Sequence, residues 1–138
     1  MIINLKDLSK IVSNPKSIWK ISRDLLLAED EIDRSKEHVW VFLLDSRNKI
    51  TLIELVTLGI LDSSIIHPRE IFRRAVHEGC AQIIVAHNHP SGCIDPSEGD
   101  LIITNRLKEA GKILGIELID HLIVTLTGFT SLKERSFL

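Results

Sequence analysis

Cysteine is scarce in this 138-residue sequence, where Cys80 and Cys93 are the only two. Two thiols cannot build a dense disulfide framework, and no Cys-x-x-Cys pair exists. Charge of one sign is lacking as well: 17 basic residues face 19 acidic ones, for a net charge of -2. That balance gives no general attraction to a phosphate backbone. Arg73-Arg74 and Lys133-Glu134-Arg135 are local basic points, but acidic neighbours dilute them. Long apolar runs are missing too. The longest are strand-sized, far below the roughly 20 residues that cross a bilayer. The opening MIINLKDLSK has no extended apolar core of the kind that marks a secretion signal. These absences leave a cytoplasmic protein without a membrane partner as the expectation.

What is present is ordinary globular material, 44% hydrophobic and 26% charged. A chain this long buries roughly two-thirds of its extended surface, enough for one core. There is little room for a second domain, so residues 1–35 are expected to be a helical extension and 36–138 the main body.

Leu5 to Glu31 reads largely as helix, interrupted near Asn14-Pro15, where Asn14 can cap a helix that Pro15 opens. Ile18, Ile21, Leu25 and Leu26 then recur at helical spacing. Asp30 to Ser35 reads as an exposed connector. Val39 to Leu44 is an apolar run of β-formers closed by the turn-like Asp45-Ser46-Arg47-Asn48, and Ile50 to Thr57 supplies the return strand. Gly59 and Asp62-Ser63-Ser64 mark a loop. Pro68 suits the first position of a helix to about Glu78, with Ile71, Phe72, Ala75 and Val76 on its buried face, and Gly79 stops it. Ala81 to Ala86 is nearly all apolar and long enough only for a central strand. Pro96-Ser97 begins another helix, with Ile102, Ile103, Leu107, Ala110 and Leu114 along one side. Glu117 to Thr125 is a further strand, followed by a turn at Gly128. The order predicts an α/β layered domain.

The chemistry concentrates where the central strand ends. His87 and His89 are one residue apart, so strand periodicity sends both imidazoles to the same face. Pro90 and Gly92 then turn the chain away. Asp100 falls at the third position of the helix that Ser97 caps, where a carboxylate ordinarily completes a capping box. The ten intervening residues are long enough to swing that helix start back over the histidines. Two imidazoles and a carboxylate are ordinary zinc ligands, and three protein ligands leave a fourth place for water. Zn2+ held by His87, His89 and Asp100 is therefore the expectation.

A water activated in this way also needs a proton acceptor. Glu37, Glu54, Glu70, Glu78 and Glu98 are all available. Glu37 has one local argument, since it stands where a polar segment enters a buried strand and so at the rim of the sheet. Ser97 has two readings: a hydrogen-bond donor to a developing oxyanion, or a plain N-cap. His38, His67, His77 and His121 lack a ligand partner at short spacing and read as surface or hydrogen-bonded residues. Trp19 and Trp40 read as packing residues.

The stretch from His87 to Asp100, HNHPSGCIDPSEGD, closely resembles the JAMM/MPN+ metalloprotease signature, HxHPxG followed by PSxxD. The match continues through Glu37 to Asp45, Ile66 to Phe72 and Gly115 to His121, which look like the RadC-type branch of that superfamily. It covers about residues 35–138. The resemblance implies a cytidine-deaminase-like mixed β-sheet flanked by helices, the JAB/MPN domain. It implies zinc on His87, His89 and Asp100, Glu37 as the base that activates water, and Ser97 assisting at the oxyanion. Two features depart from the branch. Its members often carry a helix-hairpin-helix region ahead of the metal domain, and the 35 residues here are too short for a pair of hairpins and contain no glycine. Cys93 stands where an aspartate or another non-thiol residue is common.

The function expected is zinc-dependent hydrolysis of an amide or isopeptide bond in a peptide or protein conjugate. A DNA-associated accessory module in repair is the alternative, which the near-neutral charge does not support, and a non-catalytic interaction domain is another. A deaminase would need the HxE…PCxxC signature, which is missing. Substrate identity and oligomeric state are not legible from the residues.

Overall fold

The computed structural model describes residues 1–3, 11–59 and 66–138. Their elements run β1 (Ile2–Ile3), α1 (Pro15–Leu27), α2 (Glu31–Arg34), β2 (Glu37–Leu44), β3 (Ile50–Gly59), α3 (Pro68–Ile71), α4 (Arg73–Glu78), β4 (Gln82–Asn88), α5 (Glu98–Leu114), β5 (Glu117–Val124) and β6 (Phe129–Ser131). The six strands form one mixed sheet in the order β1-β3-β2-β4-β5-β6. Only the β4–β5 pair is parallel. The helix α5 makes the crossover that such a pair requires.

Strand alternation divides the core into two layers. Val39, Val41 and Leu43 of β2, with Ile83 and Val85 of β4, pack beneath Ile71, Phe72, Ile103 and Leu107. Trp40, Phe42 and Leu44, with Ile84 and Ala86, face the other way and meet Ile18 and Leu26 of α1. Both central strands are thus buried on both faces, which is why they read as continuous apolar runs. The helix α1 starts as expected: Asn14 accepts the Ser17 N–H, and Pro15 follows at the first position. The β2–β3 turn is held by Asp45, whose carboxylate accepts the N–H groups of Arg47 and Lys49, while Asn48 adopts a left-handed φ of 62°.

Several boundaries differ from the sequence reading. Ile11 is not helical but bridges to Lys49. The connector at 30–35 contains a helical turn, which Asp30 caps through the Asp33 N–H. The single helix expected from Pro68 to Glu78 is broken at Phe72. The break lets Ile71, Phe72 and Ala75 all face inward and turns Val76 to solvent. On α5 the buried stripe is Asp100, Ile103, Thr104, Leu107 and Gly111, so Ile102 and Leu114 are exposed. The expected helical start at Leu5–Lys10 and the loop residues Asp62-Ser63-Ser64 lie outside the described residues. Among the described residues no helix is long and apolar enough to cross a membrane.

Candidate metal centre

Parallel β4 and β5 end at the same edge of the sheet, and antiparallel β2 begins there. This places Glu37, the first residue of β2, beside His87 in β4 and His89 just beyond it. His89 is aimed by the turn that follows: its N–H donates to the Val124 carbonyl, and its carbonyl accepts from Gly92, whose φ of 85° suits glycine. Asn88, between the two histidines, points to the opposite face of the sheet, against the peptide of Glu37.

Ser97 and Asp100 form a complete capping box. The Ser97 hydroxyl accepts the Asp100 N–H at 3.1 Å, and Asp100 Oδ2 accepts the Ser97 N–H at 2.8 Å. The same carboxylate reaches the histidines, Oδ1 lying 3.2 Å from His87 Nε2 and Oδ2 3.1 Å from His89 Nε2. Capping and convergence on the histidines, set against each other in the sequence reading, occur together. The two Nε2 atoms are 3.0 Å apart. His87 and Asp100 are buried and His89 is half-buried.

These donors fit a small divalent ion. Two ligand atoms on a tetrahedral zinc, each about 2.0–2.1 Å away, lie about 3.3 Å from each other, close to the separations here. His89 Nδ1 is 2.8 Å from the Cys93 carbonyl, which can only accept, so neutral His89 bears its proton there and Nε2 is bare. His87, His89 and Asp100 therefore form a cluster capable of coordinating a metal ion. Without one, a proton on the imidazoles is held against the Asp100 carboxylate. Burial works to raise the Asp100 carboxyl, but the two imidazoles outweigh it and keep it well below the usual carboxylate range. The hydrogen bond to Asp100 raises His89 against the effect of burial, and the charge of Glu37 adds a smaller push in the same direction.

The cluster opens on a cavity of about 1000 Å³, bordered also by Glu37 and Ser97. Glu54, in contrast, is buried against Arg74 at 2.9 Å, and Glu70, Glu78 and Glu98 are exposed; among these five glutamates Glu37 alone borders the cavity. The remaining histidines separate. His77 is exposed and His67 half-buried, while His38 is buried between the Lys36 carbonyl and Glu29. Trp40 is buried in the core, and Trp19 donates to the Thr125 carbonyl.

His121, read from the sequence as a surface or hydrogen-bonded residue, takes the hydrogen-bonded place directly behind the cluster, together with Thr104, which sequence reasoning did not single out. His121 Nε2 is 2.7 Å from His87 Nδ1, and its Nδ1 is 2.5 Å from the Thr104 hydroxyl. Burial, followed by the neighbouring His87, pushes His121 down to about 3, so it is neutral. The available signal was a histidine midway along a largely apolar strand, followed by Leu122-Ile123-Val124.

Residues 12–137 match the model of the RadC-like JAB domain. A UPF0758 protein of Chlorobium chlorochromatii is 47% identical over 106 residues, which cover 77% of this chain and 48% of the relative. A UPF0758 protein of Clostridium perfringens is 45% identical over 128 residues, 92% of this chain and 54% of the relative. One of Clostridium botulinum is 44% identical, covering 97% and 61%. The chain spans about half the length of the curated relatives it matches.

Proposed function

The chain belongs to the RadC family of JAB/MPN-domain proteins, within the JAMM/MPN+ superfamily, and we propose on that footing that it hydrolyses amide bonds, peptide or isopeptide, with zinc. The observation that carries this reading is a three-ligand cluster opening on a cavity that Glu37 and Ser97 also border. Zinc on His87, His89 and Asp100 would supply Lewis acidity, making a nearby carbonyl more electrophilic and a nearby water more acidic. Glu37 accepts a proton from the water as its oxygen bonds to the carbonyl carbon. It then delivers that proton to the nitrogen as the C–N bond breaks, leaving a carboxylic acid and an amine. The oxygen of Ser97 is occupied by the Asp100 N–H, and its hydroxyl proton stays available for the oxyanion. The substrate class proposed is a peptide or protein conjugate.

A second reading is favoured by one feature. The imidazoles and carboxylate lie 3.0–3.2 Å from one another, and a protonated His89 donates to Asp100, a contact that fastens the β4 end to α5 with no turnover. On this reading the chain is a non-catalytic interaction domain or an accessory module for DNA. A net charge of -2 weighs against the DNA version.

Glu37→Gln separates the two. Cell-extract peptides and protein conjugates are incubated with zinc-loaded wild type and variant, and new termini are read by mass spectrometry. Hydrolysis requires termini formed by wild type and reduced roughly 10²–10⁴-fold with Glu37→Gln, at equal zinc content. Equal cutting by both rejects Glu37 as the base. No cutting by wild type favours the non-catalytic reading.

A further inference from the structure

The contacts behind His87 have a direction that follows from donor and acceptor chemistry alone. The Thr104 hydroxyl lies 2.6 Å from the Asp100 carbonyl, which can only accept, so the single hydroxyl proton is committed to that bond. The 2.5 Å contact between Thr104 and His121 must then use a proton from His121 Nδ1. A neutral imidazole carries one N–H, which leaves His121 Nε2 bare. At 2.7 Å from it, His87 Nδ1 must supply the proton of that contact. Neutral His87 is left with a bare Nε2, the atom that faces His89 and Asp100.

We propose that Thr104 and His121 are positioning residues that commit His87 to the Nδ1–H tautomer, so that Nε2 is the nitrogen offered to a metal. The chain of protons starts at the backbone of one cluster member, Asp100, and ends on the ring of another, His87. It runs through the interior, where both His121 and Thr104 are buried. Were His121 to hold its proton on Nε2, His87 Nδ1 would have to accept it and Nε2 would carry the proton. Metal binding would then require a tautomer change first. The inference rests on the metal reading above, but the tautomer can be measured without metal.

The test compares Thr104→Val, which removes the hydroxyl at constant shape, with Thr104→Ser, which keeps it. Neither position is a member of the cluster. Imidazole ¹⁵N spectra of the zinc-free protein, followed with rising pH until they no longer change, report which nitrogen of His87 is protonated. Titration against a chromophoric chelator reports zinc affinity. Wild type and Thr104→Ser should show a single Nδ1–H form of His87 and bind zinc alike. Thr104→Val should show a mixture and bind zinc about 10–100-fold more weakly. A Thr104→Val protein with His87 still wholly Nδ1–H, and with wild-type zinc affinity, overturns the proposal. Wild type that takes up no zinc overturns the metal reading, while the ¹⁵N comparison still decides the tautomer. Should Thr104→Val fail to fold, His121→Gln and His121→Leu decide the same point. Glutamine accepts from His87 and donates to Thr104, so the single tautomer should survive in it and be lost in leucine; the same mixture in both overturns the relay.

Discussion

The side-chain amide of Asn88 grips the backbone on both sides of Glu37. Its oxygen accepts the His38 N–H at 2.5 Å, and its nitrogen donates to the Lys36 carbonyl at 3.0 Å. The residue between the two cluster histidines thus fixes the peptide that carries the proposed base. Asn88→Ala would leave the buried His38 N–H without its partner, at a cost of about 1–3 kcal/mol, while the Lys36 carbonyl keeps the His38 ring nitrogen at 2.8 Å. Urea unfolding should show that loss, and amide exchange at His38 should accelerate. Zinc affinity should change little, because the side chain points away from the cluster. Unchanged exchange at His38 would show that the clamp contributes nothing.

Wild type should take up about one zinc per chain, measured by elemental analysis after gentle purification. His87→Ala and Asp100→Ala should both abolish uptake but differ without metal. His87→Ala leaves the capping box intact, and circular dichroism should show a folded chain. Asp100→Ala opens the box as well, and its zinc-free stability should fall further, by about 1 kcal/mol. Equal zinc-free stabilities would argue that the box contributes nothing.

Burial raises the Asp120 carboxyl above its ordinary value, against the hydrogen bonds from Ser131, Lys133 and His121. The folded chain therefore holds this proton at pH values where the unfolded chain has released it. Ionisation costs stability as pH rises from the unfolded value of 3.8 through the raised one, and the loss then levels off. Asp120→Asn has no such titration. Its stability relative to wild type should rise across that window and stay constant above it. Urea unfolding at a series of acidic and neutral pH values checks this, and a difference independent of pH refutes it.

Gly111 lies on the buried stripe of α5, where an added Cβ would overlap the Ile116 carbonyl oxygen and press on the Phe72 ring. Alanine normally gains about 1 kcal/mol over glycine inside a helix. Here the overlap is with backbone, which cannot swing aside, and such overpacking costs about 1–3 kcal/mol or more. Gly111→Ala should lower the melting temperature despite its higher helix propensity, and a stabilised variant would contradict the close approach.

The sequence made His87, His89 and Asp100 legible because all three fall within one short segment, governed by strand alternation and a helix start. Glu37 was singled out mainly by resemblance, since the residues left five glutamates open. That His121 faces His87 was not legible, for a physical reason. The β4–β5 register passes from the Ile83–Leu118 pair to the Ile84–Asp120 pair, so β5 carries an extra residue at Ile119. That bulge reverses the alternation and puts His121 opposite Val85, on the same face as His87. Thr104 was missed along with it, because an apolar pattern placed Ile102 and Leu114 inside, whereas the buried stripe of α5 has two polar members. The layered α/β architecture was readable from the apolar runs and the mixed sheet was implied by the resemblance; the break at Phe72 was not legible, because Ile71, Phe72, Ala75 and Val76 keep helical spacing across it.

Asp100 closes the capping box and meets both histidines, and all of these partners lie between residues 87 and 100. The segment is therefore a cassette, with its own turn, its own helix start and its own ligand set. Glu37, the proposed base, and Thr104 and His121, the proposed positioning residues, belong to the surrounding scaffold. Exchanging those fourteen residues would add or delete the candidate ligand cluster while leaving both core layers in place. The cluster can be lost or regained in such a scaffold by one short replacement, whereas the residues around it can be altered only by changing the sheet and helix that carry them.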